Sequence, residues 1–205
     1  MTNLPDLKES IRCWQQGLQE MSLWIGGQQL REYVFHSTGV AEAAATIASK
    51  CGMDEERAYI CGLLHDFGKR QNEKQTGRAH FIVGYEDMMS RQWSVVARVC
   101  LTHSFPDSDF DFRDYTSYKI TDLQKAKSII NNFVYDDYDK LIQLCDIFFE
   151  ATSKISYQQR IACIRKRYNL KPEQTVGLET KAAENKALFD KKCGCDIYKL
   201  LNIEK

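Results

Sequence analysis

Four histidines are the residues best suited to chemistry in this 205-residue chain, and all of them lie within residues 36–103. They are His36, His65, His80 and His103, and His65 is followed at once by Asp66 in the string Leu-Leu-His-Asp-Phe-Gly-Lys. Imidazole nitrogens and carboxylate oxygens together suit divalent transition metals. Histidines used only for packing would be scattered along the chain, so this clustering indicates a metal site.

Helical periodicity predicts that His36 and His65 both face the interior of the protein. His36 precedes an apolar stripe at helical spacing, made of Gly39, Val40, Ala43 and Ile47. His65 lies on a second stripe, made of Ala58, Cys61 and Gly62. A single histidine on such a face is more often a hydrogen-bonded core residue than a ligand. A shared metal ion would compensate the cost of burying both rings, and small residues would let the two helices approach it: Gly39, Gly62 and the alanine run 43–45.

These residues resemble the HD-domain superfamily of metal-dependent phosphohydrolases, which is named for its adjacent histidine and aspartate. Residues 58–69, Ala-Tyr-Ile-Cys-Gly-Leu-Leu-His-Asp-Phe-Gly-Lys, are similar to the signature helix of that family. In the family, a first histidine opens a helix, the His-Asp pair ends the next helix, and a distant aspartate closes the site. The resemblance gives these roles to His36, to His65 with Asp66, and to Asp146.

A subset of HD proteins carries two further histidine ligands, and His80 and His103 occupy the matching positions. His80 begins a His-x-x-x-Gly string that ends at Gly84, and His103 follows an apolar helix. With six candidate ligands, the resemblance implies a two-metal site in which Asp66 could bridge the ions, although either extra histidine could instead bind substrate phosphate. The cofactor is therefore expected to be one or two divalent transition metal ions, and iron, manganese, cobalt, nickel and zinc all remain open.

The setting of Asp146 supports its place among the ligands. The surrounding residues 141–149 are apolar nearly all round, and a charge buried there should be paired or metal-bound. Asp136, Asp137 and Asp139 precede this apolar run. We expect those three to form a solvated first turn, where the helix dipole favours acidic residues.

A site of this kind predicts hydrolysis of a phosphoester or phosphoanhydride in a nucleotide or a similar small phosphorylated substrate. We expect Asp66 both to coordinate metal and to orient the attacking water. Lys69 would steady the charge of the phosphate, although a salt bridge to Asp66 or a helix-end role suits it equally. The dinucleoside polyphosphate hydrolases of the family share this order of ligands. Two alternatives stay open: an HD-fold di-iron oxygenase, and a non-catalytic module that binds a nucleotide as a sensor.

The remainder of the sequence predicts one all-α domain built from roughly seven to nine helices. Hydrophobic residues make up 43% of the chain and there are only 3 prolines, so one well-buried core is expected. We expect an N-terminal helix in residues 1–27, a metal-binding core in residues 28–156 and a C-terminal helical extension in residues 157–205. Helix breaks are predicted near residues 26–27, 51–52, 68–77, 106–118 and 171–172.

Charge and hydropathy exclude some classes of partner. The chain has 28 basic and 28 acidic residues, so no broad nucleic-acid footprint is expected. The sequence shows neither a signal-peptide pattern nor an apolar run of the length that a membrane span needs, and we expect a soluble, cytoplasmic protein without membrane contacts. The oligomeric state cannot be inferred from these features.

Two further groups of residues allow alternative interpretations. The eight cysteines lack Cys-x-x-Cys spacing and are expected to be reduced, buried thiols, although Cys193 and Cys195 could bind metal or form a redox bond. Basic side chains in the C-terminal part could help to hold a polyanionic substrate, but a solvated surface explains them more simply. This basic cluster is Arg160, Arg165, Lys166 and Arg167.

Overall fold

The structure is a computed structural model that describes residues 3–105, 107, 109 and 118–204. These residues form eleven α-helices. The helices are α1 (Leu7–Ser22), α2 (Gly27–Lys50), α3 (Glu55–Leu64), α4 (Glu73–Thr76), α5 (His80–Ser90), α6 (Ser94–Thr102), α7 (Ile120–Ile130), α8 (Asp137–Asp146), α9 (Tyr157–Tyr168), α10 (Val176–Cys193) and α11 (Ile197–Leu201). The predicted all-α class is confirmed. Two of the eleven are single turns, α4 with four residues and α11 with five, and the other nine match the upper end of the expected number.

Short non-α elements complete the chain. A 3₁₀ turn, Phe67–Arg70, follows α3, and a second one, Pro172–Thr175, precedes α10. Strands β1 (Phe149–Glu150) and β2 (Ser153–Lys154) form a small antiparallel hairpin after α8, which the sequence patterns did not indicate. Most of the predicted break at 106–118 lies outside the described residues. In the described part of the chain, no helix combines the length and the apolar character needed to cross a membrane.

Polar caps explain where the helices of the site begin. Asp54 accepts a hydrogen bond from the backbone N–H of Arg57 at 2.9 Å and so starts α3. Asp136 accepts from the N–H groups of Tyr138 and Asp139 at 2.8 and 3.1 Å and so starts α8. Each cap satisfies N–H groups that have no partner within the helix.

The α2–α3 pair packs closely through a glycine. A Cβ atom at Gly62 would lie 2.7 Å from the Cα of Ala41, so only glycine fits at this contact. The prediction that Gly62 lets α2 and α3 approach each other is therefore confirmed. The same prediction is wrong for Gly39, because a Cβ atom there would meet the ring of Phe149 at 2.3 Å rather than α3.

The expectation that Asp139 is solvated is also wrong. Its side chain is fully buried and accepts two hydrogen bonds from the Nε of Arg98, each of 3.0 Å. The hydroxyl of Thr102 donates a further bond of 2.8 Å. Asp139 therefore ties α8 to α6 through a compensated charge, and position within the first helical turn did not reveal that tertiary contact.

The C-terminal helices pack on the same core as the α2–α3 pair. Phe189, Ile197 and Leu201 are buried in one cluster with Val40 of α2 and Leu141 of α8. This packing supports the expectation that residues 157–205 extend the domain, and the predicted boundaries between the three parts remain predictions.

Three arginines of the predicted basic cluster are held in ion pairs. Arg160 and Arg167 both contact Glu150, and Arg165 contacts Glu179 at 2.8 Å. Lys166 is exposed. The pairing favours a structural role for these arginines over the binding of a polyanionic substrate.

Candidate metal centre

The six side chains proposed as metal ligands lie on five helices or directly after them, and they meet at one place. His36 lies on α2, and His65 and Asp66 lie between the end of α3 and the 3₁₀ turn Phe67–Arg70. The remaining three stand at helix ends: His80 is the first residue of α5, His103 directly follows α6, and Asp146 is the last residue of α8.

A first set of ligand atoms lies around one oxygen of Asp66. The Nε2 of His36 lies 3.2 Å from the Nε2 of His65, 3.4 Å from Asp66 Oδ2 and 3.0 Å from Asp146 Oδ1. The Nε2 of His65 lies 3.5 Å from Asp66 Oδ2 and 3.7 Å from Asp146 Oδ1. His36, His65 and Asp66 form a compact group, and Asp146 contacts both of its histidines. We call these four residues the first ligand set.

A second set lies around the other oxygen of the same carboxylate. The Nε2 atoms of His80 and His103 lie 3.5 and 3.3 Å from Asp66 Oδ1 and 3.3 Å from each other. These three groups form the second ligand set. Asp66 therefore belongs to both sets, one oxygen to each.

The spacing within both sets fits a metal ion. Ligand atoms each about 2.0–2.2 Å from a common ion at tetrahedral or right angles stand about 2.8–3.6 Å apart. The separations measured from the histidine Nε2 atoms run from 3.0 to 3.7 Å. Asp66 itself is buried, and its Oδ1 has no hydrogen-bond partner although two imidazole nitrogens face it. A buried carboxylate oxygen without a donor is costly, and a cation would remove that cost.

Hydrogen bonds on the far side of three rings explain why their Nε2 atoms are available. The Nδ1–H of His65 donates to the carbonyl of Gly62 at 2.7 Å, and that of His103 donates to the carbonyl of Val99 at 3.1 Å. The Nδ1–H of His80 donates to a carboxylate oxygen of Glu73 at 2.8 Å. With Nδ1 occupied in this way, Nε2 is the ring nitrogen that faces the centre and is placed to bind an ion, as in metal-binding histidines.

Electrostatics favour a positive charge at the first ligand set. Burial lowers the pKa of His65, but Asp66 and Asp146 raise it to about 10. Burial raises the pKa of Asp146, but hydrogen bonds with His36 and His65 bring it well below the usual range. The metal-free protein therefore holds a proton among these acidic groups, in the place where a bound ion would supply the charge.

The second ligand set is less charged. Burial lowers the pKa of His103 below its usual value, which keeps the ring neutral and its Nε2 without a proton. Burial raises the pKa of Asp66, but Lys69 and His65 bring it well below the usual range, so the shared carboxylate stays ionised. The second set consequently combines one ionised carboxylate with at least one neutral imidazole.

Lys69 and Ser104 lie beside the ligands. The Nζ of Lys69 donates a short hydrogen bond to Asp66 Oδ2, so the structure shows the salt bridge that the sequence left open. The Lys69 side chain is still 42% exposed, so part of it borders solvent beside the ligands. The hydroxyl of Ser104 lies 3.1 Å from the Nε2 of His103 and 3.4 Å from that of His80.

Two neighbours of the ligands, Glu73 and Ser104, were not expected from the sequence. Glu73 lies within residues 71–78, a polar segment that has no helical stripe, and Ser104 follows His103 without any distinguishing pattern. The only available signal was proximity in sequence to His80 and His103. Assignment of the six ligands and of Lys69 to their roles remains a prediction, which the geometry supports.

A family model and several curated proteins match parts of this chain. A family model described as HD domain matches residues 33–146, which include all six proposed ligands. The chain is 42% identical over 53 residues to Ribonuclease Y of Mesoplasma florum, a segment that covers 26% of this chain and 10% of that protein. It is 43% identical over 51 residues to Ribonuclease Y of Mycoplasma mycoides, covering 25% of this chain and 12% of that protein.

These relatives are much longer than the matched segment, which spans about a tenth of their length. No solved structure matches the chain significantly. The family model spans 114 of 205 residues, more than half of the chain. HD domains bind divalent metals, and the clustered histidines and aspartates agree with that property. The chain belongs to the HD-domain family.

Proposed function

We propose that this protein is a metal-dependent phosphohydrolase that hydrolyses a phosphoester or phosphoanhydride in a nucleotide or a similar small phosphorylated substrate. The observation that carries the proposal is the position of Asp66, whose two carboxylate oxygens face two separate ligand sets. One carboxylate shared in this way is suited to hold two cations side by side. Paired cations suit the displacement of oxygen at phosphorus, where negative charge must be neutralised.

The residues present fit one or two divalent transition metal ions. The first ligand set, from His36, His65, Asp66 and Asp146, would hold one ion. The second, from Asp66, His80 and His103, would hold the other. Mixed nitrogen and oxygen ligands suit iron, manganese, cobalt, nickel and zinc. When bound, such an ion polarises a phosphoryl oxygen and lowers the pKa of water.

The residues of the chain supply the remaining requirements. Asp66 accepts a hydrogen bond from Lys69 and so holds the ammonium group beside the ligand sets. Because the Lys69 side chain is 42% exposed, it can contact a substrate phosphate without losing that position. The Ser104 hydroxyl, next to His80 and His103, can donate a hydrogen bond to a phosphate oxygen or a water molecule at the second set.

A phosphodiester of RNA is the second candidate substrate. Two relatives that share a quarter of this chain carry the name Ribonuclease Y, and this local identity favours a phosphodiester. A small substrate is preferred because the shared segment is about a tenth of those proteins and because basic and acidic residues are equal in number, at 28 each.

Activity should be measured on protein loaded with manganese, iron or cobalt. The substrate panel comprises nucleoside mono-, di- and triphosphates, a dinucleoside tetraphosphate and single-stranded RNA, with release of phosphate or nucleoside monophosphate as the readout. Replacing Asp66 by Ala should remove metal and activity together, and replacing His65 by Ala should remove the ion of the first ligand set and the activity. Lys69→Ala should keep the metal and lower kcat by about 100-fold, as loss of one group that stabilises transition-state charge commonly does.

Asp87→Asn is the matched control. Asp87 is a partly buried aspartate on α5 that contacts Arg70 and Arg91 and none of the ligands, so metal content and turnover should not change. Asp66→Ala protein that keeps its full metal content would contradict the site. Metal-loaded protein that is inactive on every substrate would contradict the function.

Two results would favour the alternative functions. Oxygen consumption with a mixed-valent iron signal would indicate a di-iron oxygenase. Tight binding of a nucleotide without turnover would indicate a sensor or binding module.

A further inference from the structure

Glu73 is a charged side chain that touches a proposed ligand without belonging to either ligand set. It is the first residue of the four-residue helix α4, and its side chain is 39% exposed. One of its carboxylate oxygens, Oε1, accepts hydrogen bonds from the backbone N–H of His80 at 2.6 Å and from the Nδ1–H of the same residue at 2.8 Å. A single oxygen thus holds both the main chain and the ring of His80.

The place of His80 in its helix explains why it needs such a partner. His65 and His103 donate from Nδ1 to carbonyls three and four residues earlier, Gly62 and Val99, which belong to their own helices. His80 is the first residue of α5, so no earlier turn of that helix can offer a carbonyl. Glu73 supplies the acceptor from outside the helix.

Local contacts fix the position of Glu73. The side chain of Asn72 accepts from the N–H groups of Lys74 and Gln75 at 3.0 and 3.3 Å and so caps α4. Gly77 directly follows the helix with φ of +63°, a conformation that suits glycine. The carboxylate of Asp122 accepts from the neighbouring N–H of Ala79 at 2.7 Å, so two carboxylates together cap the start of α5.

We propose that Glu73 is a positioning residue that fixes the ring and tautomer of His80 and thereby sets the affinity of the second ligand set for its ion. The inference rests on the proposed metal-dependent function and adds a residue to it. With Nδ1 bound to Glu73, the Nε2 of His80 must face Asp66 Oδ1 and His103. Without Glu73, the ring can rotate or carry its proton on Nε2, and both changes remove a ligand.

Metal binding, followed by calorimetry and by elemental analysis after desalting, tests this role without depending on turnover. We call the ion held by the first ligand set the first ion, and the ion held by the second ligand set the second ion. In Glu73→Ala, affinity for the second ion should fall by about 10- to 100-fold, while affinity for the first ion stays at the wild-type value. Glu73→Gln should lose less, since an amide oxygen can accept the same two hydrogen bonds. Glu9→Ala is the control, because Glu9 also accepts from a backbone N–H at a helix start, that of Asp6 at 3.2 Å, and lies on α1 away from the ligands.

The expected order of second-ion affinity is therefore wild type, then Glu73→Gln, then Glu73→Ala, with Glu9→Ala equal to wild type. Equal affinities in wild type and Glu73→Ala would overturn the inference, as would equal loss of both ions. If the alanine variant fails to fold, Glu73→Gln decides instead. An amide oxygen is a weaker acceptor than a carboxylate oxygen, so wild-type affinity for the second ion in that variant would contradict the expected order.

The two proposals fail in different ways. Wild-type protein that binds one ion at saturation would overturn the role of Glu73 and leave a one-metal hydrolase intact. The opposite result is also possible: the variants show the expected order of second-ion affinity, but wild-type protein with two bound ions hydrolyses no phosphate ester. That result would support the role of Glu73 and contradict the hydrolase.

Discussion

Gly68 is the residue at which the 3₁₀ turn next to Asp66 touches α5, and replacing it by Ala gives a sharp test of how the site is assembled. A Cβ atom at Gly68 would lie 1.9 Å from the carbonyl oxygen of His80 and 2.7 Å from the backbone nitrogen of Gly84. Real Cβ contacts are essentially never shorter than 3.0 Å, so the two segments would have to separate by about 3.0 − 1.9 = 1.1 Å. Both neighbouring atoms are backbone atoms, and no side-chain rotation can relieve the contact.

The cost follows from this overlap. Inserting a methyl group into a packed interior usually costs about 1–3 kcal/mol, and a clash with rigid backbone places Gly68→Ala at about 3 kcal/mol or more. For a chain of this size that corresponds to a fall in Tm of about 6–12 °C. A displacement of about 1 Å also moves Asp66 away from His80, so affinity for the second ion should fall at least about tenfold.

Gly177→Ala is the matched control for this substitution. Gly177 is the second residue of α10, and no atom lies within 4 Å of a Cβ built there. Alanine at that position should leave stability unchanged or raise it by up to about 1 kcal/mol. Thermal and urea unfolding of the metal-free proteins, with calorimetric titration of metal, measure both effects. Gly68→Ala protein with wild-type stability and wild-type second-ion affinity would refute the close contact and the reasoning built on it.

Three further outcomes are expected. Arg98→Ala should lower the free energy of unfolding by about 3 kcal/mol in urea titrations, because it leaves the buried carboxylate of Asp139 uncompensated, and a loss below 1 kcal/mol would contradict that pairing. A thiol reagent should label at most three of the eight cysteines in the native protein and all eight after unfolding, since five are buried and burial raises the pKa of Cys61 to about 12. Removing metal with a chelator should lower Tm by about 5–11 °C relative to protein in a metal concentration of 100 times Kd. The loss corresponds to about 2.7 kcal/mol of stabilisation by bound metal. An unchanged Tm would argue against a resident ion.

The fold could be predicted because its signals are local. Apolar stripes at helical spacing and polar caps such as Asp54 and Asp136 determine where helices run, and these can be read from neighbouring residues. The approach of α2 to α3 was predictable for the same reason, since Gly62 lies on a stripe of small residues and meets Ala41. The contact of Gly39 with Phe149 was not predictable, because the partner lies 110 positions away on a hairpin that no pattern indicated.

The neighbours of the site depended on tertiary contacts. Asp139 and Arg98 are 41 positions apart, and acidic residues in a first helical turn are usually solvated, so the buried pair was missed. Glu73 was missed because a polar segment without periodicity resembles any exposed loop. Its role becomes visible only when His80 is seen to begin a helix, where the ring has no carbonyl of its own to bind.

The two ligand sets rest on different parts of the molecule. The first depends on α2, α3 and α8, which share the large core cluster with residues such as Val40 and Leu141. The second depends on α5 and α6. Gly68 lets the 3₁₀ turn pack closely on α5, and Gly84 lets α5 pack closely on Cys100 of α6. Among the ligands, Asp66 alone belongs to both sets. Changes on the α5 side should therefore weaken the second ion and spare the first, whereas loss of Asp66 should empty both, and a variant of Gly68 or Glu73 that released the first ion preferentially would contradict this division.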